Sequence, residues 1–338
     1  MDKEDFLKEK IRHVDITSFN PSEIVDSMRG MSFSSRDTAN AADIFNMMLE
    51  KQGCTVILTL AGSTSAGGCM KVYSDMVRYN MVDAVVATGA SIVDMDFFEA
   101  LGFHHYRGTP AVNDKELRKH YIDRIYDTFI DEEDLQACDS TIKEIADGLE
   151  PRPYSSREFI KEMGRYLEEN GKKEDSLVKL AYQHGVPIFC PAFSDSSAGF
   201  GLVMHQDANP ERHVAIDSVK DFRELTQIKI KSPTSGLFMV GGGVPKNFAQ
   251  DTVVCAECLV KQVPMHEFAV QVTVADVRDG ACSSSTLKEA SSWGKVDTVH
   301  EQMVYAEATT VVPLIAGYAY HKGAWKNRER RNWNSIFS

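Results

Sequence analysis

Eight consecutive residues near the end of the chain offer the clearest chemistry: Glu289, Ala290, Ser291, Ser292, Trp293, Gly294, Lys295 and Val296. A lysine can form an imine with a carbonyl or imine carbon once its amine is neutral. The neighbours of Lys295 suit that task. Trp293 presents a π-face that attracts ammonium groups. Gly294 lets the backbone approach a ligand closely, and Glu289, just upstream, could hold a cation. A lysine in such a pocket would be partly desolvated, which favours the neutral amine. Spacing alone leaves a solvated surface lysine as the competing reading, because short motifs also match by chance.

The elements that must position such a group start at residue 54. Cys54–Leu60 (CTVILTL) is a continuous β-branched apolar run, the pattern of a strand covered on both faces. It ends in a loop of small residues that includes Ser63, Ser65 and Gly67. A helix is expected over 70–80 and a second strand over 82–87, closing on Thr88, Gly89 and Ser91 with Asp94 and Asp96 beyond. Small residues after a strand let backbone N–H groups reach a phosphate, and an acid after the second strand can bond a ribose hydroxyl. The loop is not the G-x-G-x-x-G fingerprint, so plain turns are the alternative.

Further strands are expected over 186–190, 236–240, 268–274 and 303–306, each ending in small or acidic residues: Asp195 and Gly199, then Gly241 to Gly243, then Asp279 and Gly280, then Glu307. Residues 1–50 read as preparatory helices, 114–134 as a charged helical stretch, and 137–185 as mostly helices. Within that stretch Ser155 and Glu158 have capping-box spacing. The fold expected is α/β and Rossmann-like: a mostly parallel sheet with helices on both faces and a helical excursion in the middle. The whole of 1–338 is expected to form a single domain, because strands resume after the excursion and the linker is short. A helix over about 309–320 and a basic tail over 322–338 close the chain. The tail is expected to be frayed and solvated, or packed on a neighbouring subunit.

Composition excludes several classes. The net charge of −12 argues against general binding to nucleic acid or to an anionic membrane. No apolar run is long enough to span a bilayer, and the charged start has no signal core, so a cytoplasmic protein is expected. Seven scattered cysteines fit reduced thiols. Cys255 and Cys258 form a lone C-x-x-C inside a helical segment and are read as structural. His104 and His105 are adjacent, without a carboxylate at ligand spacing, so they are read as loop or strand residues. No metal site is expected.

With these stretches in hand, the chain resembles the deoxyhypusine synthase family, and within it the bacterial deoxyhypusine synthase-like and homospermidine synthase branch. The matching motifs are Asn80 to Asp83, the Pro191, Ala192, Asp195 and Gly199 loop, Gly241 to Gly243, Asp279 with Gly280, Glu289 with Ser292 to Lys295, and Tyr305 to Ala308. They run in order over roughly 50–320. The resemblance implies NAD as cofactor and spermidine as donor. It implies loss of 1,3-diaminopropane, an aminobutylidene group carried on Lys295 as a Schiff base, and transfer to an acceptor amine. It makes Lys295 the catalytic nucleophile and places Trp293 and Glu289 on the polyamine. Asp195, Asp279, Ala306 and Glu307 then line the NAD site, with Ser65, Gly67, Thr88 and Asp94 joining them.

The chain departs from the eukaryotic and archaeal pattern at three donor positions, where it carries Asn247, Phe200 and Cys282. Those departures put the donor geometry in doubt and point to a small amine acceptor, putrescine giving homospermidine. The alternatives are a lysine of a translation factor as acceptor, and an NAD- or polyamine-binding protein without transferase activity. A homotetramer with sites at a subunit interface is the family's habit and is expected here.

Overall fold

The computed structural model describes residues 2–281 and 283–337. Its centre is a six-stranded sheet: β1 Cys54–Leu60, β2 Ala84–Ala87, β3 Ile188–Phe189, β4 Thr234–Val240, β5 His266–Thr273 and β6 Val296–Tyr305. The spatial order is β3-β2-β1-β4-β5-β6 and every neighbouring pair is parallel. This is the doubly wound order whose direction reverses between β1 and β4, the place where such sheets bind ligands.

The apolar runs do what a two-sided sheet requires. All seven residues of β1 are buried. Alternate residues feed two cores. Val56, Leu58, Phe238, Val240, Val270 and Val272 join the larger core, with the helices Phe33–Glu50, Met70–Arg78 and Ala308–Lys322. Ile57, Leu237, Met239 and Ala269 face the smaller core, with Leu225 and Ile228 of Ser218–Lys231, Ala249 of Gly243–Gln250 and Leu287 of Leu287–Ser292. This period-two division is the physical signature of a sheet with helices on both faces.

The helical excursion comprises Glu132–Asp147, Ser156–Asn170 and Leu177–His184. The second of these opens on the expected capping box: Ser155 Oγ accepts from the Glu158 amide at 3.2 Å, and Glu158 Oε2 accepts from the Ser155 amide at 2.9 Å.

Three expectations are corrected. Residues 114–134 are not one helical stretch: a short helix, Asp114–Lys119, is followed by the antiparallel pair Ile122–Ile125 and Thr128–Asp131. Ile122 and Phe129 pack together with Leu117 in a small core of their own, while Ile130 joins the larger core. The last strand begins at Val296 rather than near residue 303, because its polar first half pairs along β5. The tail is not frayed. Arg328 reaches the buried Asp83 carboxylate at 2.5 Å and the Cys54 carbonyl at 2.9 Å, Arg331 bonds Thr55 Oγ1 at 2.8 Å, and Trp333 enters the smaller core. The basic run thus ties the tail across the amino ends of β1 and β2. His105, read as a loop or strand residue, lies just before a short strand, is buried, and shares the Glu99 carboxylate with His13 and Lys173, at 2.8, 2.8 and 2.7 Å.

Candidate active site

Lys295 stands at the entrance of β6. The helix Leu287–Ser292 is fixed at its start by a capping box. Thr286 Oγ1 accepts from the Glu289 amide at 3.1 Å, and Glu289 Oε2 accepts from the Thr286 amide at 2.5 Å. Gly294 takes φ +70, a conformation open to glycine, and turns the chain out of this helix into the strand. The Lys295 amide then donates to the Ala290 carbonyl at 3.1 Å, and its carbonyl accepts from the His266 amide at 3.0 Å. The lysine backbone is thereby held between a helix end and the first residue of β5.

Its side chain is only 14% exposed, and its ammonium lies 2.5 Å from Asp251 Oδ1 and 5.2 Å from the centre of the Trp293 ring. Asp251 joins two helices, Gly243–Gln250 and Thr252–Cys258, and its amide donates to the Asn247 carbonyl at 2.8 Å. Trp293 is 70% exposed, so one ring face is free to pack on something outside this chain. Glu289, expected beside the cation, is spent on its capping box instead, and those hydrogen bonds hold its carboxyl below the usual range. Asp251 was missed in the sequence because it lies far upstream with no spacing that ties it to Lys295.

Asn247 sits in the middle of Gly243–Gln250, beside Lys246. Lys246 is fully buried and donates to the carbonyl and, at 2.8 Å, the hydroxyl of Ser285. Phe200 is 66% exposed on the first turn of Ser197–Ala208, away from any of these contacts. Cys282 lies outside the described residues.

The cofactor candidates gather at the opposite, carboxyl edge of the sheet, in two groups. Gly67, Glu307 and Thr309 line one cleft of about 500 Å³ together with Ser63, Thr64, Tyr126 and Asp127. Ser65 is buried beneath it in the π-helical turn Ser65–Cys69. Glu307 caps Ala308–Lys322, accepting from the amides of Thr309 and Thr310 at 3.0 and 3.1 Å. Partial burial pushes its carboxyl up, but these bonds outweigh it and leave the group below the usual value. Ala306 precedes it at the end of β6.

The second group lies where β2 and β3 end. Thr88 and Ser91 share a hydroxyl contact of 2.9 Å, and Ser91 reaches the Gly62 carbonyl at 3.2 Å. Asp94 accepts from the Ser197 amide at 2.7 Å, and burial pushes its carboxyl up to about 6 against that bond. Asp96 is fully buried, capping Leu177–His184, and is structural. Asp195 is exposed on the loop before Ser197–Ala208, and a Cβ on Gly89 would come within 2.6 Å of Ser196. Asp279 is exposed on the loop after β5. Small residues, tight turns at Gly241 and Gly243 with φ +72 and +64, and an acid at the cleft rim fit a dinucleotide at this edge.

Lys295 and this edge are not neighbours within one chain. His266 pairs with Val296, and Thr273 pairs with Tyr305. Seven strand steps put Val296 and Tyr305 on the order of 20 Å apart along the sheet, and Lys295 and Ala306 lie just outside that span.

A family model described as deoxyhypusine synthase matches residues 23–319. The chain belongs to the deoxyhypusine synthase family. It is 69% identical to a deoxyhypusine synthase-like protein of Coxiella burnetii, over 99% of this chain and 96% of that one. It is 61% identical to another from Chlorobaculum tepidum, again over 99% and 96%. The crystal structure of a candidate deoxyhypusine synthase from Entamoeba histolytica shares the fold, with a TM-score of 0.63, 20% identity, and 96% and 99% of the two chains covered. Among the described residues, no helix is long and apolar enough to cross a membrane.

Proposed function

We propose that this chain is an NAD-dependent aminobutyltransferase: the aminobutyl group of spermidine passes to Lys295 and from there to an amine, putrescine in the favoured case, giving homospermidine. The observation that carries this reading is Lys295 itself, mostly buried, held by one carboxylate and one aromatic face in a chain of this family. Family membership supports transferase chemistry, and the choice of putrescine rests on the resemblance to the bacterial branch.

NAD, when bound, would supply the hydride acceptor and later the hydride donor. Gly67, Thr88, Asp94, Asp195, Asp279, Ala306 and Glu307 would hold it, with Ser65 beneath. The protein-side steps are two exchanges at one carbon. Asp251 is placed to take a proton from Lys295, and the neutral amine adds to the donor imine carbon. The carbon–nitrogen bond to 1,3-diaminopropane breaks, and that diamine leaves with the proton. The acceptor amine then adds to the Lys295 imine, and Lys295 leaves as the free amine. Trp293 and Asp251 suit a polyamine, whose charges need carboxylates and whose chain packs on an aromatic wall.

The separation of Lys295 from the cofactor edge supports a shared site, in which a second copy brings its edge to this lysine. A homotetramer of that kind, located in the cytoplasm, is part of the proposal. The test incubates protein with NAD and spermidine, with and without putrescine, and identifies the amines by mass. Homospermidine and 1,3-diaminopropane support the reading. Diaminopropane without homospermidine moves the acceptor to a protein lysine, with the translation factor next to try. No diaminopropane leaves a binding protein.

A further inference from the structure

Lys229 has no exposed surface, and among the described residues its ammonium has one hydrogen-bond acceptor, Ser235 Oγ at 2.7 Å. Among the described residues no carboxylate lies within ion-pair distance of it, and burial pushes the group down to about 8. A buried ion without a counter-charge is costly, and replacing it by an apolar side chain of similar shape is commonly neutral or stabilising. Packing therefore gives no reason for a lysine here.

The contacts beyond Ser235 give one. Ser235 Oγ is 2.9 Å from Nδ1 of His266, which is also fully buried, and the other ring nitrogen, Nε2, lies 3.3 Å from the Ala249 carbonyl. The ammonium can only donate. Ser235 accepts from it and so directs its own proton to Nδ1. That leaves the hydrogen of His266 on Nε2, facing Ala249. Ala249 lies just before Asp251, the partner of the Lys295 ammonium. The backbone amide of the same histidine donates to the Lys295 carbonyl. His266 thus bonds to both sides of the Lys295–Asp251 pair, once through its ring and once through its main chain.

We propose that Lys229, Ser235 and His266 form a buried positioning relay that sets the tautomer of His266 and through it the placement of Lys295 against Asp251. None of the three touches substrate. The relay is a positioning device for the nucleophile, and its catalytic consequence rests on the function proposed above. A cost in stability borne for position is the ordinary trade between stability and activity.

The test uses the full-length protein with Lys229→Met, and Ser235→Ala beside Ser235→Thr, which keeps the hydroxyl. Three quantities are read: the thermal midpoint, hydrogen exchange of peptides covering 247–253 and 290–296, and kcat and KM for diaminopropane release. Lys229→Met should melt at or above wild type, so loss of fold does not confuse the result. Exchange in both peptides should rise about tenfold, the size of one lost hydrogen bond. The kcat should fall by a similar factor with KM little changed, and Ser235→Thr should restore what Ser235→Ala loses. Unaltered exchange in Lys229→Met and Ser235→Ala would overturn the relay. Raised exchange in a protein whose wild type releases no diaminopropane would keep the relay and remove the proposed reaction.

Discussion

The carboxylate that meets the Lys295 ammonium belongs to Asp251, 2.5 Å away, and not to Glu289 of its own motif. The pair is built from two separate segments, the helix junction at 251 and the turn into β6. Both are anchored on His266 at the start of β5. Replacing Asp251 with Asn should leave stability nearly unchanged, within about 1 kcal/mol, because the carboxylate is 39% exposed. The kcat/KM for the polyamine donor should fall by about tenfold to a hundredfold, the worth of a charged hydrogen bond. Steady-state kinetics beside a thermal melt separates the two effects.

The tail is structural. Arg328 is 6% exposed and Asp83 1%. Among the described residues, Arg328→Ala leaves that carboxylate with the Val56 amide as its remaining partner, at 2.8 Å. Breaking one side of a buried pair typically costs about 3–5 kcal/mol. A denaturant melt should show a loss of that size, whereas a solvated tail would give none.

Stability should carry an acid-side slope set by Asp221. This residue is fully buried and accepts from the amides of Ser156 and Arg157 at 3.1 and 3.2 Å. Burial, helped by nearby Glu224, pushes its carboxyl from an ordinary 3.8 up to about 7 against those bonds. Between these values the folded state holds the proton that the unfolded chain has lost. This group therefore lowers stability as pH rises from about 4 to about 7. Asp221→Asn should flatten the change over that window in melts taken at stepped pH.

Glu307 joins fold and cofactor. Glu307→Ala removes the cap of Ala308–Lys322 and should cost about 1 kcal/mol. On the NAD reading it should also weaken NAD binding by about tenfold, as one lost hydrogen bond would. Titration calorimetry with NAD reads the second effect directly. Unchanged affinity would move the cofactor off this cleft.

The sheet was legible because its strands are buried on both faces, so CTVILTL appears as a continuous β-branched apolar run and FAVQVT as one interrupted only by Gln271 and closed by Thr273. The helix start at Ser155 was legible from a side chain that bonds the amide three residues on. Lys295 was legible through the residues beside it. Asp251, Lys229 and His266 were not, because their meeting depends on strands and helices far apart in sequence. The hairpin at 122–131 was hidden because charged residues break its short strands, so neither shows a period-two pattern. The tail misled because arginines satisfied by backbone carbonyls look the same in sequence as solvated ones.

The account stands or falls on the bond made by Lys295. The protein is incubated with NAD and spermidine, quenched with cyanoborohydride, and its peptides mapped by mass. The prediction is a reduced aminobutyl adduct on Lys295, dependent on both NAD and spermidine and absent from Lys295→Ala. Diaminopropane release with no adduct, or with the adduct on another lysine, would contradict it.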